Sequence, residues 1–164
     1  MRPLINKEAL SALKSNKPRL CIRIIDTYFK YYSNNLHGRL IRAEASRALH
    51  RNDDALKSLK KILTKKNNKF HAKAVQLCKS IFAEKASELE KTISSTQAIE
   101  YYFNHLIKLN IAPTYDKGLN KILENIGPAN EQAILPELQE HNLILKFNKE
   151  VVHLFEKKLN KRLS

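Results

Sequence analysis

The strongest constraint on the fold is a pair of amphipathic patterns in residues 39–70, separated by a very short turn. The first apolar stripe consists of Ile41, Ala45, Ala48 and Leu49, and the second of Ala55, Leu56, Leu59, Ile62 and Leu63. Both stripes recur at the three- and four-residue spacing of an α-helix. One such helix pair cannot bury its stripe alone, so the pattern predicts neighbouring pairs built in the same way.

Helical periodicity continues through the rest of the chain, and no stretch shows the alternation of a β-hairpin. The further predicted helices cover about residues 7–14, 18–32, 70–91, 97–110, 113–126 and 142–161, with a weaker segment at 129–140. Asn6 is the expected N-cap of the first helix. The run from Asn52 to Asp54 is the expected turn within the opening pair, where Asn52 can cap the second helix.

Residues 39–67 resemble a tetratricopeptide repeat, a family of paired antiparallel helices. The matching positions are Ile41, Ala45, Ala48, Ala55, Leu59, Ile62 and Asn67, and Ala98, Ile99 and Tyr102 match the second helix of another such repeat. The resemblance implies an all-α, right-handed α-solenoid of seven to nine helices. It also implies one domain over 1–164, closed by a C-terminal capping helix at 142–162. That last helix has a second interpretation, because its apolar stripe and basic end would suit an anionic membrane.

Charge is distributed unevenly along the chain. Residues 1–80 hold 19 basic and 5 acidic side chains, whereas residues 81–164 hold 11 of each, so the net charge of +14 lies in the first half. A basic half attracts polyanions, whether nucleic acid, anionic lipid or an acidic protein. The other interpretation is a lysine-rich solvated surface that serves only solubility.

The resemblance implies a binding groove lined by the first helix of each pair. On the basis of a 34-residue repeat, the polar face predicted to line it consists of Arg39, Arg42, Ser46 and His50, followed by Lys73, Gln76, Ser80 and Glu84. Arginine suits carboxylates because its planar fork offers two donors at once. The sequence therefore predicts a non-catalytic scaffold module that binds an acidic peptide or a partner protein in a basic concave groove. The alternative for these residues is ordinary solvated helix surface.

Nucleic acid, RNA in particular, is the second predicted partner class. Sequence-tolerant binding of a single strand combines basic side chains with aromatic stacking. The basic half contains Tyr28, Phe29, Tyr31 and Tyr32 around Lys30, although the first two are expected in the core. The chain carries no known nucleic-acid signature motif.

Catalysis, metals and cofactors find no support in the sequence. The six histidines stand far apart without a ligand motif, and three glycines leave little room for a phosphate-binding loop. Cys21 and Cys78 lack metal or redox spacing, which favours buried thiols in a reducing compartment. We expect a non-enzyme without a cofactor, located in the cytoplasm, with no transmembrane segment and no secretory signal.

Overall fold

The computed structural model describes residues 2–65, 67–91, 95–112 and positions 117, 119 and 122. These residues form six α-helices and no strand, which confirms the predicted all-α class for the part described. The helices are α1 (Arg2–Lys14), α2 (Pro18–Phe29), α3 (Leu36–Ala48), α4 (Asn52–Leu63), α5 (His71–Glu90) and α6 (Ser95–Lys108). The predicted segments at 129–140 and 142–161, and most of 113–126, lie outside these residues. None of the six helices is long and apolar enough to cross a membrane.

The chain divides after Cys78 into two compact units. The first unit holds α1 to α4 and the beginning of α5, and the second holds the rest of α5 and α6. A single domain over 1–164 stays a prediction.

Two helical hairpins build the first unit, α1–α2 (the first hairpin) and α3–α4 (the second hairpin). Each first helix ends at a residue with left-handed backbone, Asn16 at φ 56° and His50 at φ 57°, 34 positions apart. The next backbone N–H, of Lys17 or Arg51, donates to a carbonyl five residues back, and both bonds measure 2.9 Å. This is the Schellman turn, which satisfies the carbonyls left over at a helix end. The two hairpins therefore reverse direction by the same turn.

Buried positions recur with the same 34-residue period. Five pairs of equivalent residues are at most 8% exposed: Ala9 and Ala43, Ala12 and Ser46, Cys21 and Ala55, Ile25 and Leu59, and Tyr28 and Ile62. Small residues occupy most of the pairs near the hairpin turns, and larger ones fill the open end of each hairpin. The helix pair predicted at 39–67 thus has a preceding equivalent that the sequence analysis did not identify.

Contacts between the hairpins run through α3. This helix packs against its own partner α4 and also against both helices of the first hairpin. Ile41 and Ala45 of α3 share a buried cluster with Ala9, Cys21 and Ile25 of the first hairpin. The stripe of the second hairpin is therefore covered by a similar neighbour, as the sequence predicted.

Two predicted helix starts are wrong. The first helix begins at Arg2 instead of Lys7, so Asn6 lies inside α1 and is only 8% exposed instead of capping the helix. The run from Asn52 forms the first turn of α4, and its N-cap is Arg51, which makes no side-chain capping bond. Asp53 and Asp54 do lie in that first turn, where the helix dipole favours acidic side chains.

The second unit is built on aromatic packing between α5 and α6. The ring of Phe82 lies 5.2 Å from that of His105, and Tyr102 meets Phe103 edge-on at 5.5 Å. Tyr102 and Phe103 are both at most 1% exposed. After α6, Asn110 takes a positive φ of 56° and the N–H of Ile111 bonds to Leu106 O, so the same turn ends this helix.

Candidate functional site

A bridge of side-chain amides joins the two hairpins. The backbone N–H of Gly38 donates to Asn35 Oδ1 at 3.0 Å, which makes Asn35 the N-cap of α3. Because its oxygen faces a backbone donor, the Nδ2 group of Asn35 is the donor to Asn6 Oδ1, at 2.8 Å. Asn6 Nδ2 then donates to His37 Nδ1, at 3.3 Å. In neutral His37 the proton is therefore on Nε2, where it is a hydrogen-bond donor.

Gly38 makes room for this bridge. A Cβ atom at this position would lie 2.6 Å from Asn35 Nδ2 and 3.4 Å from Asn6 Oδ1. The first distance is shorter than real contacts allow, and the Asn35 side chain is short and already tied to the backbone. Glycine at this position is thus a packing requirement of the bridge.

His37 also contacts an aromatic ring at the other side. It stacks on Phe70 with ring centroids 5.0 Å apart and an interplanar angle of 10°. Lys69 Nζ lies 5.2 Å from the centroid of the same Phe70 ring. Burial lowers the pKa of His37, and the nearby Lys69 charge lowers it further. His37 is therefore uncharged at neutral pH.

Two adjoining cavities meet at Asn6 and His37, and together we call them the basic groove. One has a volume of about 580 Å³ and is lined by Asn6, Tyr31, Tyr32, Ser33, Asn34, Asn35, Leu36, His37, Lys69 and Phe70. The other has a volume of about 590 Å³ and is lined by Asn6, Lys7, Leu10, Ser11, Lys14, Ser15 and His37. The groove thus combines an amide floor, aromatic walls and lysines along its length.

The charge of the basic groove is largely uncompensated. Lys7, Lys14 and Lys69 have no carboxylate partner within the described residues. Beside the groove, Lys73 Nζ contacts Glu44 Oε1 at 2.8 Å, so that lysine is already neutralised. Three cations on one side of a small unit attract an anion that offers several charges in a row.

The two predicted groove arginines lie elsewhere, against α2. Arg42 makes a two-pronged ion pair with Asp26, at 2.6 and 3.2 Å, and also donates to Ser58 Oγ at 3.3 Å. The hydrogen bond to Asp26 raises the pKa of Arg42. The Arg39 guanidinium lies 4.7 Å from the ring centroid of Phe29, and burial lowers its pKa. Arg42 therefore joins α2, α3 and α4 and does not offer its fork to a ligand.

Ser46 and His50 separate in the same way. Ser46 is 1% exposed, so the prediction that it lines an open groove is wrong: its hydroxyl is in the core, without a hydrogen-bond partner in the described part of the chain. His50 is exposed, but it occupies the left-handed turn between α3 and α4.

The later predicted residues do not form one row. Lys73 pairs with Glu44, and Gln76 is exposed on α5. Ser80 and Glu84 belong to the second unit and are half-buried. The grouping of these residues into a single groove stays a prediction.

The sequence analysis chose a face of α3 that is displaced from the groove. Arg39, Arg42 and Ser46 point to α2 and the core, whereas His37 and Glu44, seven residues apart, share the face toward α1 and α5. The missed signal was the 34-residue correspondence of Ala9 with Ala43. It would have fixed which side of α3 is buried.

The remaining chemistry of the described residues is sparse. Cys21 and Cys78 are buried free thiols, as expected from the sequence. Burial raises the pKa of Cys21 to about 11 and that of Cys78 to about 12, so neither is a ready nucleophile. No group of three potential metal ligands occurs within the described ranges.

Comparison with known proteins gives no family for the chain. No family model, no curated protein and no solved structure matches it. The likeness to tetratricopeptide repeats therefore remains a resemblance of residue pattern, and function has to be inferred from the geometry of the first unit.

Proposed function

We propose that the first unit is a non-catalytic module that binds an acidic peptide segment of a partner protein in the basic groove. The observation that carries this proposal is the meeting of three unpaired lysines, Lys7, Lys14 and Lys69, with the amide bridge at Asn6. Lysine recognises carboxylates by charge, and side-chain amides bind an extended peptide backbone through paired donors and acceptors.

The fold proposal that accompanies it is a right-handed solenoid similar to tetratricopeptide repeats. Its support is the 34-residue spacing of Asn16 and His50 and of the buried pairs such as Ile25 and Leu59. In such a stack each hairpin contacts its neighbours, and the first helices line one common surface. The groove residues Lys7, Lys14 and His37 all belong to first helices. The buried reduced thiols suit the cytoplasm, where we propose that the module acts.

His37 is the proposed centre of recognition. Its Nε2–H is the donor left after Nδ1 accepts from Asn6, and the Phe70 ring holds the imidazole in one orientation. A carboxylate bound there gains a hydrogen bond from His37 and a charge interaction with Lys69. Both groups are fixed before binding, which lowers the entropic cost of association.

The test uses a labelled array of ten-residue peptides rich in Asp and Glu, with free C-termini, and measures binding by fluorescence anisotropy. We expect members with micromolar Kd values, and a loss of about tenfold or more on Lys69→Glu or Lys7→Glu. Lys61→Glu is the matched control, because it makes the same charge change on an exposed lysine of α4 outside the groove. Equal losses for groove and control variants would mean a general charge effect and would reject the site.

Single-stranded RNA is the second candidate ligand. It is favoured by Tyr31 and Tyr32, which line the same groove and are 78% and 40% exposed. Aromatic rings beside lysines suit stacked bases and phosphates. A labelled 12-mer of uridine in the same assay separates the two. Tighter binding of RNA than of every peptide, with a steep salt dependence and a loss on Tyr31→Ser, would replace the peptide proposal.

A further inference from the structure

The outer side of the first hairpin carries an exposed apolar face with two charges on it. We call it the outer face and define it by Leu4, Leu20, Ile24 and Tyr31, with Glu8 and Arg23. Leu4 is 62%, Leu20 is 41% and Tyr31 is 78% exposed, and Ile24 is half-buried. A shallow cavity of about 390 Å³ includes Glu8, Arg23, Ile24 and Tyr31 in its lining. The end surface of a helical stack is normally polar, so this face is unusual.

The repeat shows what such a face does one hairpin further along. The position 34 residues after Glu8 is Arg42, and its charge crosses to the neighbouring hairpin in the ion pair with Asp26. The position 34 residues after Ile24 is Ser58, which is 5% exposed and accepts a hydrogen bond from Arg42. The template therefore uses this side of a hairpin as a packing surface with a charge pair. In the first hairpin the same side has no neighbour among the described residues.

Its charges are complementary to themselves. Glu8 lies on α1 and Arg23 on α2, and neither pairs with another charged side chain in the described residues. A two-fold axis through the face would place α1 of one copy over α2 of the other. Each Glu8 then meets the partner copy's Arg23, twice per dimer, around an apolar centre. Two-fold contacts need such self-complementary patches.

From this complementarity we infer that the outer face is a homodimer interface between two copies of this chain. The face is about 18 Å long, from helices of twelve or thirteen residues, and roughly 20 Å wide for two packed helices. This is small for a permanent dimer, so the expected Kd lies in the micromolar range. The interface is separate from the basic groove except at Tyr31, which borders both.

Sedimentation velocity of the full chain from about 1 to about 500 µM tests the inference. We expect a reversible monomer–dimer equilibrium that Arg23→Glu or Glu8→Arg weakens at least about tenfold, since each change acts twice per dimer. The double variant Glu8→Arg with Arg23→Glu restores the pairs in reverse and is expected to return dimerisation close to the original. Lys57→Glu is the matched control, because Lys57 is exposed at the position 34 residues after Arg23.

The outcomes separate clearly. A chain that stays monomeric over the whole range overturns the inference, and so does a dimer that responds equally to Arg23→Glu and Lys57→Glu. Failure of the double variant to recover, with an unchanged far-UV circular dichroism spectrum, overturns the two-fold pairing. Leu20→Glu tests the apolar centre independently of the charge pairs and is also expected to shift the chain to monomer.

Discussion

The two hairpins of the first unit have the same backbone plan and different surfaces. Their turns at Asn16 and His50 use the same hydrogen bonds, and their buried positions correspond in five pairs. At the polar positions the correspondence ends: Glu8 stands opposite Arg42, and Asn6 stands opposite Leu40. The comparison teaches that the repeat fixes where a side chain lies, while residue choice decides whether that side chain builds the fold or remains for binding.

The largest effect is expected from the shared core. Ile25→Ala and Leu59→Ala remove equivalent side chains that are 0% exposed, and each should cost about 3 kcal/mol of unfolding free energy. Urea denaturation measures both losses. A loss at one position several times larger than at the other would break the structural equivalence of the hairpins. Leu20→Ala, at an exposed leucine of α2, is the control and should cost well under about 1 kcal/mol.

A smaller effect is expected from the charge tie that only the second hairpin makes. Arg42→Met should cost about 1–2 kcal/mol, since Asp26 and Ser58 lose their donor. A double-mutant cycle with Asp26→Asn isolates the coupling, discounted because the Asp26 side chain is 45% exposed. Asp54 and Lys57, 3.8 Å apart and more exposed, provide the control pair, for which we expect a coupling of at most about 0.3 kcal/mol. Equal couplings for the two pairs would show that Arg42 is not a structural tie.

The amide bridge should contribute about 1 kcal/mol to the stability of the second hairpin. Asn35→Ala removes the N-cap of α3 and the partner of Asn6 at once. Asn34→Ala is the control, because Asn34 only accepts a bond from the exposed Lys65 at 3.3 Å. Thermal unfolding compares the two variants, and a loss of peptide binding in the Asn35 variant alone would connect the bridge to the basic groove. Indistinguishable melting curves would contradict the bridge.

The smallest effect concerns pH. The pKa of His37 is lower in the folded chain than its ordinary value of 6.5 because of burial, so the unfolded chain takes up a proton first as the pH falls. Stability from neutral His37 is therefore complete above about pH 7 and decreases below pH 6.5. Urea midpoints at pH 7 and pH 5 should differ less in His37→Gln than in the original chain. His50→Gln, at an exposed histidine, should leave the difference unchanged.

Helix content was predictable because it depends on local periodicity. The apolar spacing located α2, α5 and α6 to within a few residues, and the opening pair correctly gave α3 and α4. Local capping logic failed at Asn6, whose hydrogen-bond partner Asn35 is 29 residues away in sequence. No local pattern distinguishes an asparagine that caps a helix from one that is satisfied by another hairpin.

The candidate site was less predictable, because it depends on which side of α3 faces which neighbour. Ser46 has a polar side chain and lies in the core, opposite Ala12 of the first hairpin. Polarity suggested an exposed residue, but a hydroxymethyl group is small enough to replace a methyl in a close helix contact. Arg42 was expected to bind a carboxylate and does so within the chain itself, at Asp26.

The close spacing of the packed helices in sequence has a kinetic consequence. In the first unit, helices pack against their next or next-but-one neighbour in the chain, as α1 does against α2 and α3. Contacts of short sequence separation require only small loops to close, and chains rich in them fold within microseconds to milliseconds. The Schellman turns at Asn16 and His50 close before any contact between hairpins can form. The first unit can thus assemble while later segments of the chain are still being synthesised.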